Sequence, residues 1–222
     1  MTEPSRSLGL PPELLDYVIA SSGGRDPIAD ELAAETRSRF GDLAGMNIEQ
    51  DQARLMEFLV AWSGASTVVE VGTFTGMSAL FLARGLGPDG RLFCFDVSDE
   101  YTSVGRPFWD RAGVADRISV TIGPAVESLA ALPDKPYLDV VFLDADKHNY
   151  GRYLDLVVPR LSDRGIVLID NTLWSGQVLD ASDTSRDTEA LRVLNRRLAD
   201  DPAFDTVMLG VGDGLTLVRP RR

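Results

Sequence analysis

The residues equipped for chemistry in this 222-residue chain stand at the ends of four short apolar runs. The first reads Glu70-Val71-Gly72-Thr73-Phe74-Thr75-Gly76-Met77-Ser78. Its two glycines let the backbone turn sharply and approach a ligand closely. The spacing E-x-G-x-x-x-G is not the dinucleotide fingerprint, and no Walker lysine follows, which excludes a P-loop. Asp96 ends the next run, twenty residues after Gly76, where a carboxylate can accept both ribose hydroxyl protons. That suits the adenosine of either NAD or S-adenosylmethionine (SAM). Glu70 favours SAM, because a carboxylate in the glycine turn repels a pyrophosphate but tolerates an amino-acid and sulfonium end. Pro124-Ala125, after the third run, suits adenine contacts and equally a helix start with proline near its first position.

The fourth and fifth runs end in Asp144-Ala145-Asp146-Lys147 and Asp170-Asn171. Asp144, Asp170 and Asn171 offer only oxygen ligands, a set for Mg²⁺, Mn²⁺ or Ca²⁺ rather than zinc or copper. Three protein ligands leave positions open, and a hard dication there lowers the pKa of a bound phenol and holds it for in-line attack. Taken singly, each aspartate also reads as a helix cap or a solvated turn. As a set on one rim, they need cations or donors to satisfy them. Lys147 is one of only two lysines against twenty arginines, so the residue type that can exchange a proton stands beside the acids. His148, the only histidine, reads first as a helix-start or surface residue. Trp174 can wall an aromatic substrate or simply cap the core.

The elements that must position these residues follow from periodicity. Residues 12–22, 27–41 and 49–63 read as helices, the second opened by Pro27 and the third stopped by Gly64. Short β-branched or apolar runs at 67–71, 91–95, 117–122, 139–143 and 165–169 then alternate with helical stretches at 76–86, 99–112, 125–131, 148–160 and 186–200. That alternation predicts a parallel sheet covered on both faces. Residues 204–211 and 215–219, joined by Gly212-Asp213-Gly214, read as a closing strand pair. The expectation is one α/β domain over 1–222, with 1–45 a helical N-terminal extension.

Composition narrows the partners. A formal net charge of −12 argues against nucleic-acid and membrane binding. A single cysteine, Cys94, allows no internal disulfide, and one Cys with one His cannot build a thiolate zinc site. The first twenty residues hold no apolar core of a signal peptide, and the expected location is cytoplasmic.

The stretches Val69–Ser78, Phe142–Tyr150 and Asp170–Trp174 resemble the cation-dependent O-methyltransferases, the family of caffeoyl-coenzyme A and catechol O-methyltransferases and many bacterial relatives. The likeness runs from about Met46 to the Gly212-Asp213-Gly214 turn. It implies a class I SAM-methyltransferase (Rossmann-like) doubly wound sheet with a C-terminal antiparallel hairpin. It implies that Glu70, Gly72 and Ser78 hold the methionine part of SAM, that Asp96 binds the ribose and that Ala125 lies by the adenine. Met46 and Ile48 would cover the cofactor. Asp144 would face both cofactor and metal, with Asp170 and Asn171 as further ligands, and Mg²⁺ the first choice. Lys147 would assist deprotonation or orient the hydroxyl of a small aromatic diol, against Asp146 and Trp174. Related enzymes are often homodimers. His148 stands where the family usually carries an acid, and Ser175 where plant enzymes place an asparagine; both differences bear on the acceptor. An NAD-dependent oxidoreductase and a non-catalytic SAM-binding protein are the alternatives.

Overall fold

The chain begins with helices that need tertiary support. In the computed structural model, which describes residues 10–221, these are α1 (Pro12–Ser21), α2 (Pro27–Phe40) and α3 (Gln50–Ser63), with a 3₁₀ turn, Gly41–Met46, between the last two. Residues 1–9 of the expected N-terminal extension lie outside the described residues. The Asp26 side chain caps α2 by accepting from the Ala29 N–H at 2.9 Å, and Pro27 sits in the first turn where its missing N–H costs nothing. Gly64 ends α3 in the left-handed region at φ 67°.

Strands and helices then alternate: β1 (Thr67–Val71), α4 (Met77–Gly85), β2 (Arg91–Asp96), α5 (Asp99–Arg111), β3 (Ile118–Ile122), α6 (Ala125–Ala130), β4 (Leu138–Leu143), α7 (Tyr150–Val157), β5 (Leu161–Ile169) and α8 (Arg186–Asp200). The hairpin β6 (Phe204–Leu209) and β7 (Leu215–Pro220) closes the chain. The sheet order is β3-β2-β1-β4-β5-β7-β6. The first five strands run parallel, and β7 pairs antiparallel with both β5 and β6.

Side-chain alternation sends each strand into two cores. Val68, Val140, Phe142 and Leu168 join Met56, Leu80 and Phe81 on one face. Val69, Val141, Val167 and Ile169 join Tyr150, Leu154 and Leu191 on the other. Chain order reverses between β1 and β4, and a crevice opens there beyond the carboxyl ends of the strands. No helix among the described residues is long and apolar enough to cross a membrane.

Two expected elements change. Periodicity predicts one helix over 148–160, but 3₁₀ turns at Lys147–Asn149 and Val158–Arg160 flank a shorter α7; Pro159 has no N–H to continue the ladder. β5 begins at Leu161 rather than at Gly165, because Ser162, Asp163 and Arg164 hide its first residues behind a polar sequence.

Candidate active site

The glycine loop joins β1 to α4, and the main chain holds it. Gly72 N–H bonds the Phe95 carbonyl at 2.9 Å, across to β2. Gly72 has φ 87°, and a Cβ there would lie 1.9 Å from the carbonyl oxygen of Asp144. Only glycine allows the ends of β1 and β4 to meet this closely. Asp96 braces the same loop: its Oδ2 accepts from the N–H groups of Thr73 at 2.9 Å and Phe74 at 2.8 Å, and its Oδ1 from Ser98 N–H at 2.8 Å. The expected ribose residue therefore also orders the turn that faces it.

Glu70 is fully buried, and no donor reaches either carboxylate oxygen with hydrogen-bond geometry. Burial raises its pKa to about 7, although Ser78, Thr73 and Cys94 stand near enough to pull it back. A buried carboxyl without firm partners is a site waiting for a cation or a donor.

The second half of the crevice forms beyond β4 and β5. Asp144 Oδ1 accepts from Lys147 Nζ at 2.9 Å. Burial works against the Lys147 charge, but Tyr150 and Asp144 outweigh it and its pKa is raised. The ammonium also lies 5.1 Å from the Tyr150 ring centre and 5.7 Å from that of Trp174. Asp170 is 2% exposed. Burial, then the neighbouring charge of Asp144, pushes it up to about 7, while Gln52 of α3 lowers it. A buried carboxylate, Asp170, raised by the neighbouring charge of half-buried Asp144, is a place where a shared cation would be favourable. Among the described residues no group of three His, Cys, Asp or Glu side chains could hold a metal ion. With the Asn171 amide as a third donor the set would be all oxygen, which would suit a hard dication.

The segment after β5 is strained. Asn171, Trp174 and Ser175 all adopt positive φ, at 57°, 50° and 52°; asparagine tolerates that region, whereas for Trp174 and Ser175 it costs about 1–2 kcal/mol each. The β6–β7 turn over-determines it. Gly214 accepts from Thr172 N–H at 3.0 Å, Asp213 carbonyl from Leu173 N–H at 3.0 Å, and Asp213 Oδ1 from Ser175 N–H at 2.6 Å. The Asn171 side chain stands close enough to Asp213 to lower its pKa, which burial raises. Arg192 of α8 gathers the carbonyls of Val178, Asp183, Gln177 and Asp180. Neither Asp213 nor Arg192 was singled out in sequence. The Gly-Asp-Gly turn was visible as a turn, but its partner lies 38 residues away.

His148 lies between two carboxylates, with Nε2 3.0 Å from Asp146 Oδ2 and Nδ1 3.2 Å from Asp187 Oδ1. Asp146 also accepts from Asn149 Nδ2 and from the Tyr153 hydroxyl. The expected substrate contact therefore organises its own turn, and His148 ties that turn to the start of α8.

One cavity of about 1370 Å³ spans both halves. Its walls include Met46, Ile48, Gly72, Ser78, Asp96 and Ala125 on the cofactor side. On the other side they include Asp144, Asp146, Lys147, Asp170, Asn171 and Trp174. Every residue proposed from sequence faces this space except Glu70, which is buried behind the wall. The volume exceeds that of most single-ligand pockets and leaves room for two.

A family model described as O-methyltransferase matches residues 19–221. The chain belongs to the O-methyltransferase family. It is 34% identical over 218 residues to a catechol O-methyltransferase of Mycobacterium tuberculosis, covering 95% of this chain and 96% of that one. It is 31% identical over 218 residues to a caffeoyl-CoA O-methyltransferase of Populus kitakamiensis, covering 93% and 92%. An O-methyltransferase from Bacillus cereus in complex with SAH superposes with a TM-score of 0.83 at 25% identity, covering 94% of this chain and 97% of that chain. In this O-methyltransferase, the class I fold expected from the strand pattern is present, including the antiparallel strand pair after α8.

Proposed function

We propose that the protein transfers a methyl group from SAM to one hydroxyl of a vicinal dihydroxy-aromatic compound held on a divalent cation. The observation that carries this is the close approach of Gly72 to the Asp144 carbonyl, which sets the glycine loop and the acidic ends of β4 and β5 in one cavity. The catechol- and caffeoyl-CoA-methylating relatives and the SAH complex support it.

In this arrangement Glu70, behind Gly72 and Ser78, meets the ammonium of the methionine part. Asp96 takes the ribose hydroxyls, Ala125 borders the adenine, and Met46 with Ile48 covers the cofactor. Asp144, Asp170 and Asn171 hold the cation, Mg²⁺ first, with Mn²⁺ and Ca²⁺ as alternatives. When bound, it supplies positive charge that favours an acceptor oxyanion. Trp174 walls the ring, and Asp146 borders the acceptor. Lys147 orients the reacting hydroxyl with its ammonium, or accepts its proton where the neighbouring cation has driven that ammonium neutral. An oxygen lone pair forms the O–C bond as the S–C bond breaks, the sulfonium leaves as a neutral thioether, and the hydroxyl proton passes to a neutral Lys147 or to solvent. Adjacent hydroxyls let one oxygen anchor while its neighbour reacts, which supplies orientation.

The test is methylation of a catechol panel with and without EDTA, alongside Asp144→Ala. The expected outcome is turnover abolished by metal removal and by the substitution, with SAM affinity by calorimetry nearly unchanged. Full activity after exhaustive metal removal would remove the cation from the proposal, and NAD binding in place of SAM would favour the oxidoreductase. A cytoplasmic homodimer is part of the same proposal. Tyr17, Phe58 and Trp62 expose aromatic surface on the adjoining helices α1 and α3, and light scattering reading one 24.2 kDa chain would count against it.

A further inference from the structure

The charge of the cavity wall selects among acceptors. Among the described residues the wall carries eight carboxylates and two cations. Asp144 and Asp170 are the proposed cation ligands and Asp96 the ribose contact. Five remain: Asp42 and Glu49 on the segment between α2 and α3, and Asp146, Asp187 and Asp213 toward the acceptor. Of the two cations, Lys147 is bonded to Asp144 at 2.9 Å, and Arg37 of α2 is the other. His148 offsets one charge at most, because its single ring spans Asp146 and Asp187.

Phosphate groups are read by guanidinium forks and ammonium groups. This chain has twenty arginines, yet among the described residues Arg37 is the only one on the cavity wall. The scarcity is one of placement, not of composition. A coenzyme A thioester, with a diphosphate and a further phosphate, would bring several negative charges to a mouth of the same sign.

We propose that the acceptor is a vicinal arene-diol whose side arm is uncharged or cationic, and that anionic acceptors, coenzyme A thioesters above all, are turned away by the carboxylates at the acceptor end. The proposal rests on the diol chemistry above and narrows it. Asp187, at the start of α8, is the residue placed to read a cationic arm. Its side chain is 40% exposed on the wall, and its Oδ1 takes the His148 contact while Oδ2 is left for a ligand ammonium.

The experiment uses the full chain with SAM and Mg²⁺ and four acceptors that share one dihydroxyphenyl ring: dopamine (cationic arm), hydroxytyrosol (neutral), dihydroxyphenylacetate (anionic) and caffeoyl-CoA (polyanionic). At low salt kcat/KM is expected to fall in that order, by on the order of tenfold between the amine and the acid. Added NaCl should narrow the spread, since exposed charges are screened within about 10 Å at 0.1 M. Asp187→Asn should lower the amine-to-acid ratio. Caffeoyl-CoA as the best acceptor, or equal kcat/KM for amine and acid at low salt, would overturn the proposal and leave diol methylation standing. No methylation of any of the four would overturn both.

Discussion

The loop after β1 and the segment after β5 face one cavity but are held in place by different means. The first is held by its immediate neighbours on the sheet rim: Gly72 N–H bonds the Phe95 carbonyl, the Asp96 side chain collects the amides of Thr73 and of left-handed Phe74, and the Gly72 backbone lies against the Asp144 carbonyl. The second is bent through left-handed residues at Asn171, Trp174 and Ser175, and held there by Asp213 and Arg192 from distant parts of the chain. Bonds from adjoining strand ends and a glycine contact leave few ways to vary the cofactor side. Clamps from a turn and a helix far along the chain leave more ways to vary the acceptor side, where a change in one clamp can re-aim a proposed metal ligand and an aromatic wall together. A single scaffold can then keep one donor while changing acceptors.

The comparison breaks most readily at Gly72. Gly72→Ala would drive a Cβ against the Asp144 carbonyl at φ 87°. It should cost about 3–5 kcal/mol through overpacking and backbone strain, read as a lower urea midpoint with an unchanged m-value. A loss below about 1 kcal/mol would show that the loop relaxes easily and that its rigidity is overstated.

Glu70 gives the next effect. Its folded pKa of about 7 lies above the unfolded value near 4.5, so the folded state retains a proton that the unfolded state has lost. Stability from this group is full below the unfolded value and falls as pH rises through about 7, by about 3 kcal/mol in all. Glu70→Gln removes that slope while adding a constant amide-burial cost. The difference in unfolding free energy between variant and parent, measured at pH 5 and pH 8, should therefore change by about 2.5 kcal/mol in favour of the variant. The same substitution should weaken SAM binding, and identical pH slopes would contradict the buried-carboxyl account.

Asp213→Asn probes the other region with a smaller expected effect. The amide can still accept from Ser175 but loses the charge that faces the Asn171 side chain. Metal affinity, followed by Mn²⁺ titration in an EPR spectrometer, should drop about tenfold, as for other groups that orient ligands. SAM affinity should stay within twofold or so, since Asp213 touches none of the cofactor side. An equal fall in both affinities would mean that the two regions are coupled rather than separately built.

Much of this was legible along the chain. β1, β2 and β4 are continuous apolar runs ending in acids, and short-range periodicity locates them within a residue or so. Asp144, Asp170, Asn171 and Lys147 stood out by type and by their place after those runs, and the fold gathers them at one crevice. The start of β5 was hidden, because a polar stretch can still be a strand when its backbone pairs with a neighbour. His148 read as a surface residue, because nothing near it in sequence reveals Asp187, which lies 39 residues later. Asp213 looked like a hairpin residue for the same reason.

Sequence alone determined the parallel sheet, the order of its elements and the set of oxygen and nitrogen groups at its rim. Those features depend on residue type and on periods of two and about four residues, which any reader of the chain can count. The tertiary structure alone decided which groups share contacts: the Gly72 turn against Asp144, the clamp of Asp213 on Ser175, and the bridge of His148 to Asp187. These are packing outcomes between segments far apart in the chain. They settle where charge accumulates in the cavity, because a carboxylate acts through its distance from other charges and not through its position in the sequence.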